Sequence, residues 1–406
     1  MIREEGCALS RRARQMPASP IRRLAPLAEA AVAAGKTVHP LNIGQPDIAA
    51  PAAVLERIRG FDHPHLAYGP SAGLPTFLDA VRDYYRARGL DVDRAEIFAT
   101  TGGSEALLFV LAAIADDGDE VLVFEPFYTN YNGFGHLVGV RTVPVTTFPD
   151  DGYRLPPRAA IEARITPRTR AILLCSPNNP TGTVYTDEEL ERVAAICRER
   201  RLFLVSDEVY REFVYDGRRH RSAWTLAGIE QQVILTDSLS KRVSMCGARV
   251  GWIASRSREL REAVLRFGQA RLCPPTLGQL AGAALATVPD DYVRGVVAEY
   301  QRRRDLVYGE LAAMSGVRLH RPEGAFYVCA RLPVDDGQRF AEFLLRDFAI
   351  DGETVALAPA DGFYATPGLG RDEVRIAYVV DRERLTRSMR IVGEALEAYP
   401  GRIVPR

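Results

Sequence analysis

Between residues 96 and 255 the chain repeats one pattern, a short unbroken apolar run followed by an amphipathic stretch. EIFATTGG (96–103) opens onto SEALLFVLAAIA (104–115), and EVLVFEP (120–126) reads as a buried strand. RAILLCSP (170–177) precedes the helical stretch DEELERVAAICRERR (187–201). LFLVSDEVY (202–210), VILTDSLSK (233–241) and ARVGWIAS (248–255) continue the series. Strands without polar alternation are buried on both faces, and runs of this kind separated by helices specify βαβ units around a mostly parallel sheet. At 406 residues the chain exceeds the roughly 250–300 that one core sustains, so a split is expected. The long charged helical stretch 290–314, then GAFYVCA (324–330) and VRIAYVV (374–380), reads as a smaller α+β unit. The expected domains are an arm over 1–55 that joins the small unit, a large α/β domain over 56–289 and a small domain over 290–406.

Composition excludes more than it specifies. Formal net charge is zero, so nucleic acid and membrane surfaces are not expected partners. The start MIREEGCALSRRARQ is followed by no apolar signal-peptide core, and no run of about 18 apolar residues exists. Six cysteines, at 7, 175, 197, 246, 273 and 329, include no CxxC and no paired spacing. They read as reduced thiols of a cytoplasmic protein. His63 and His65 have no evident third ligand and read as loop residues.

Of 52 lysines and arginines only two are lysines, Lys36 and Lys241. Arginine does not lose its proton in a protein, whereas lysine does when buried or set beside other cations. Lys241 has Arg242 and Arg249 nearby in sequence, and its retention indicates a task for a neutral amine, such as an imine with an aldehyde. Lys36, in AAGKT, reads as an ordinary loop cation. Ligands of open α/β sheets bind beyond the carboxyl ends of the strands. Gly102, Gly103 and Ser104, then Asn179, Asp207, Ser238, Ser240 and Lys241, all fall at such ends. Together they would make a rim holding an anion site, a carboxylate and a lysine. Taken singly, each has an ordinary structural role as turn, cap or surface cation.

SPNNPTG, SDEVY and SLSKRVSMCGARVG, in that order and spacing, resemble the class I/II aminotransferases, fold-type I enzymes that use pyridoxal 5′-phosphate (PLP). LNIGQPD (41–47), YGPSAG (68–73), TGGSEAL (101–107), EPFYTNY (125–131), RPEGAFYV (321–328) and EVRIAYV (373–379) extend the likeness over nearly the whole chain, with an aspartate-aminotransferase-like pattern. The resemblance implies that Lys241 bonds PLP and then serves as acid and base. It implies that Asp207 pairs with the pyridine nitrogen, and that Tyr210 and Asn179 bond the ring oxygen. Gly103, Ser104, Ser238, Ser240 and Arg249 would surround the phosphate, and Tyr128 would stack on the ring. Arg375, with Gly44 and Asn179, would bind the substrate. Tyr68 would reach the phosphate of a neighbouring subunit, which implies a homodimer with shared sites. The implied reaction moves an amino group between an L-amino acid, aspartate or a similar one, and a 2-oxo acid. Elimination, replacement or cyclisation on the same cofactor, for example with S-adenosylmethionine, is the alternative, because the motifs that hold PLP are common to both. A nucleotide-binding dehydrogenase or a non-catalytic Rossmann-like module lacks support, since neither GxGxxG nor GxxxxGK occurs. Three departures stand out. Ser104 occupies a place where some aspartate-using relatives carry a basic residue, Ala248 stands where many relatives have a bulky aromatic before the arginine, and Cys246 replaces a commoner small hydroxyl or proline and reads as a buried inert thiol.

Overall fold

The computed structural model describes residues 7–403. Residues 1–6 of the expected arm and 404–406 of the expected small domain lie outside the described residues. A seven-stranded sheet runs in the order Ile97–Thr100, Gly251–Ser255, Val233–Ser238, Phe203–Asp207, Thr169–Cys175, Glu120–Glu125, Arg141–Thr146. Gly251–Ser255 is antiparallel to both neighbours, and the remaining pairs are parallel. Successive residues of the central strands enter two different cores. Val121, Val123, Leu173 and Val205 pack on one side, and Leu122, Phe124, Leu174 and Leu204 on the other. That two-sided burial is why these strands are unbroken apolar runs. Arg141–Thr146 does not read as a strand from sequence, because it is a half-exposed edge strand interrupted by Pro144.

A second, antiparallel sheet comprises Ala358–Pro359, Glu373–Ala377, Tyr327–Arg331 and Arg318–Leu319, in that order. The long helix Asp290–Ala313 packs against the closing helix Arg382–Ala398. Near the amino terminus, Thr37–Pro40 pairs in parallel with Glu353–Ala356, a two-stranded element too short to announce itself in sequence. Lys36 donates from Nζ to the carbonyls of Leu345 (3.2 Å) and Arg346 (3.0 Å), at the carboxyl end of the helix Gly337–Arg346. This is a favourable place for a cation. Among the described residues no helix is long and apolar enough to cross a membrane.

Candidate active site

Parallel strands end on one side of the sheet, and there Cys175, Asp207 and Ser238 terminate theirs. The loops beyond them enclose a cavity of about 520 Å³. Gly44, Gly103, Ser104, Tyr128, Asn179 and Asp207 line it, as do Tyr210, Ser238, Ser240, Lys241, Arg249 and Arg375. Of the residues to which the resemblance gives a role in the site, Tyr68 alone is not on this lining. It is 82% exposed, on a loop outside the cavity.

The glycine turn is tighter than its sequence shows. The helix begins at Gly102, two residues earlier than the reading from 104, and Gly102 has φ +75°. A Cβ on Gly102 would lie 2.5 Å from Nη2 of Arg249, and one on Gly251 would lie 2.6 Å from the backbone of Gly102 and Gly103. Both positions therefore need glycine. Thr101 supplies no side-chain cap, so the first amides of this 13-residue helix are left for another acceptor. Arg249 itself adopts φ +52° and donates to the Cys246 carbonyl (2.9 Å).

Lys241 sits on the four-residue helix Leu239–Arg242, whose entry is capped by the Ser238 hydroxyl accepting from the Ser240 amide (3.2 Å). Beneath it, the buried Asp237 and Arg242 side chains form an ion pair that brackets the segment. The Lys241 Nζ donates to the Gly44 carbonyl (2.7 Å). Burial pushes the ammonium below the ordinary lysine value. The charges of Arg375 and Arg249 push the same way, while Cys246 and Asp207 oppose them. Cys246 is half-buried and lines the cavity, which corrects the expectation of a thiol sealed in the core, and it donates to the Ser240 carbonyl (2.9 Å).

Asp207 is buried, accepting from the Tyr131 hydroxyl (2.8 Å) and from the Val209 amide (3.4 Å). Burial pushes its carboxyl up to about 6, against those two hydrogen bonds and with help from Asp237 and Glu208. Arg375, 1% exposed, donates to Asn179 Oδ1 (3.0 Å) and to the Asn42 carbonyl (2.6 Å). Its guanidinium lies 4.4 Å from the Tyr327 ring centre, and its Nε has no hydrogen-bond partner among the described residues. Among the described residues no carboxylate lies within 4.0 Å of Lys241, Arg249 or Arg375. Three cations on one cavity are thus without counterions, in a protein that pairs many of its others.

Residues 36–391 match the family model for aminotransferase class I and II. The chain belongs to that family. It is 30% identical over 394 residues to a probable aspartate/prephenate aminotransferase of Aquifex aeolicus, covering 96% of this chain and 98% of the relative. It is 33% identical over 388 residues to an aromatic-amino-acid aminotransferase of Thermococcus litoralis, covering 94% and 96%. The structure of aspartate aminotransferase from Thermus thermophilus with maleate superposes with a TM-score of 0.86, at 32% identity, over 96% of this chain and all of that one. The protein is a fold-type I, PLP-dependent aminotransferase, and the relatives do not favour the elimination or cyclisation alternative.

Four residues in or beside this aminotransferase's cavity are not marked by the sequence. Tyr131, the last residue of EPFYTNY, bonds Asp207. The Tyr327 hydroxyl lies 2.8 Å from that of Tyr210, and it fills the space a Cβ on Gly44 would need. Asn42 contributes through its carbonyl, which leaves no side-chain signature. Arg22 lines the cavity from the amino-terminal segment, outside every motif.

Proposed function

We propose that Lys241 is the residue through which the enzyme moves an amino group between an L-amino acid and a 2-oxo acid, with a dicarboxylic amino acid such as aspartate as donor. The observation that carries this reading is the position of the Lys241 amine, whose affinity for a proton is lowered chiefly by burial and also by two arginines, on a cavity that also holds Asp207 and Arg375. The residues present fit PLP. The glycine turn and Arg249 form a cradle for a phosphate, Ser104, Ser238 and Ser240 offer hydroxyls beside it, and the buried Asp207 matches a protonated ring nitrogen. When bound, the cofactor supplies an aldehyde that condenses with amines and a ring that withdraws electrons.

The protein's own groups do the rest. Arg375, buried beside Asn179 and with an unpartnered Nε, holds the substrate α-carboxylate and so fixes the direction of the Cα–H bond. The Lys241 Nζ would act as base for the substrate α-proton and as acid returning it to the cofactor carbon. Tyr210 and Asn179, which line the cavity, would donate to the ring oxygen, and Tyr128 would lie over the ring. The Tyr131 hydroxyl holds Asp207 in place as the acceptor for the ring nitrogen.

The chain is further read as a homodimer in which Tyr68 reaches the partner's phosphate, supported by its exposure and by the nearby exposed Leu66. The division into arm, large domain (56–289) and small domain (290–406) is supported by the two sheets, one built from segments within 97–255 and the other from segments within 318–377. A cytoplasmic place belongs to the same reading, supported by six cysteines whose sequence spacing shows no pairing pattern, and a role in amino acid biosynthesis goes with the amino-transfer reading. The decisive test is a half-reaction screen of amino acids on the PLP-loaded enzyme, following the cofactor's visible absorbance. Conversion to pyridoxamine phosphate with release of the matching 2-oxo acid is expected. Lys241→Arg should lower the rate by about 10³-fold or more. Normal turnover in that variant would remove the assignment.

A further inference from the structure

Beyond the lysine and the two arginines already given roles, the cavity wall carries a fourth cation, Arg22. Among the described residues the one acidic side chain on the lining is Asp207, which is committed to the ring nitrogen in the proposed reading. Arg22 is solvent-exposed, and among the described residues no carboxylate lies within 4.0 Å of it. Its neighbours are fastened on every side. The Pro20 ring packs where a Cβ on Gly362 would be, the Ile21 carbonyl accepts from Asn42 Nδ2 (3.2 Å), Arg23 makes two bonds to Asp361 (3.1 and 2.5 Å), and Leu24 is buried. The backbone that carries this exposed arginine is thus held in place on both sides.

Asn42 ties this wall to the substrate arginine. Its side chain holds Ile21, and its own carbonyl accepts from Arg375 Nη2 (2.6 Å). Asn42 therefore contacts both the segment that carries Arg22 and Arg375 itself. Tyr128, Arg22 and Arg375 line the same cavity.

We infer that Arg22 is a specificity-determining residue that binds the second carboxylate of a dicarboxylic amino acid whose first carboxylate is on Arg375. The inference rests on the amino-transfer reading above. A charge-assisted hydrogen bond of this kind corresponds to about 10- to 100-fold in affinity or kcat/KM. The experiment compares wild type, Arg22→Gln and Arg22→Lys, all loaded with PLP. It reads the ratio of kcat/KM for L-aspartate to that for L-alanine, and separately the ratio of dissociation constants for the unreactive acids succinate and butyrate by calorimetry. The expected result is a fall of about 10- to 100-fold in the preference for the diacid in Arg22→Gln, in both turnover and binding, with Arg22→Lys recovering most of it. An unmoved ratio in Arg22→Gln, an equal loss for diacid and monoacid, or a wild type that does not prefer the diacid would overturn the assignment. Failure of the amino-transfer reading looks different, because no amino acid would then convert the cofactor in any of the three proteins.

Discussion

Asp207 keeps its proton to a higher pH than an ordinary aspartate because burial outweighs the hydrogen bonds from Tyr131 and Val209. Its folded value of about 6 lies above the ordinary 3.8, so the folded state binds the proton more tightly than the unfolded one. The cofactor-free enzyme therefore loses stability as pH rises from about 4 to about 6, and the loss is complete above that window. A rise from 3.8 to about 6 corresponds to about 3 kcal/mol as an order of magnitude. Asp207→Asn, which cannot ionise, should be more stable than wild type by up to that amount in urea titrations at pH 7, with the difference vanishing below pH ~4. The same substitution removes the charge proposed to face the ring nitrogen, so amino transfer falls while cofactor-free stability rises. Lys241 gives a second check. With its ammonium held below the ordinary lysine value, the cofactor-free enzyme should be labelled there by an amine-directed reagent at a pH where a free lysine side chain is still protonated. Peptide mapping by mass spectrometry reads the site.

At the scale of elements, the turn between Ile97–Thr100 and the helix Gly102–Ile114 concentrates the demands on backbone shape. Gly102→Ala places a side chain in the left-handed region and against the Arg249 guanidinium. Loss of about 1–2 kcal/mol of stability is expected from the backbone alone, seen as a lower urea midpoint. Displacement of Arg249 should also weaken PLP binding in a direct titration. Much of this architecture is visible in the chain before any fold is known, and the reason is physical. A strand buried on both faces must be apolar throughout, and the residue where that run stops, Asp207 or Ser238, is where the polar chemistry begins. Tyr131 and Tyr327 carry no such mark, since they matter only through partners that folding brings to them, Asp207 and Tyr210. The edge strand Arg141–Thr146 and the pair Thr37–Pro40 with Glu353–Ala356 are too exposed or too short for periodicity to single out.

At the scale of the whole molecule, the proposed homodimer makes a prediction that no single-chain reading makes. If Tyr68 completes the partner's phosphate site, Tyr68→Ala should weaken PLP binding by about tenfold. Mixing inactive Lys241→Ala chains with Tyr68→Ala chains should then restore turnover, because each hybrid contains one intact site. Activity no greater than the sum of the two separate variants would remove the shared-site arrangement, whatever mass sedimentation gives. The parallel pairing of Thr37–Pro40 with Glu353–Ala356 bears on how such a molecule is made. A ribosome delivers the first of these strands more than three hundred residues before the second. Through most of synthesis the leading segment has no edge to join, and Asn42 has no Arg375 to receive. The central sheet is free to assemble on the emerging chain, yet the pocket stays open on one side until the last hundred residues arrive. A nascent polypeptide of this enzyme would therefore acquire its shape well before it acquires its grip on the vitamin.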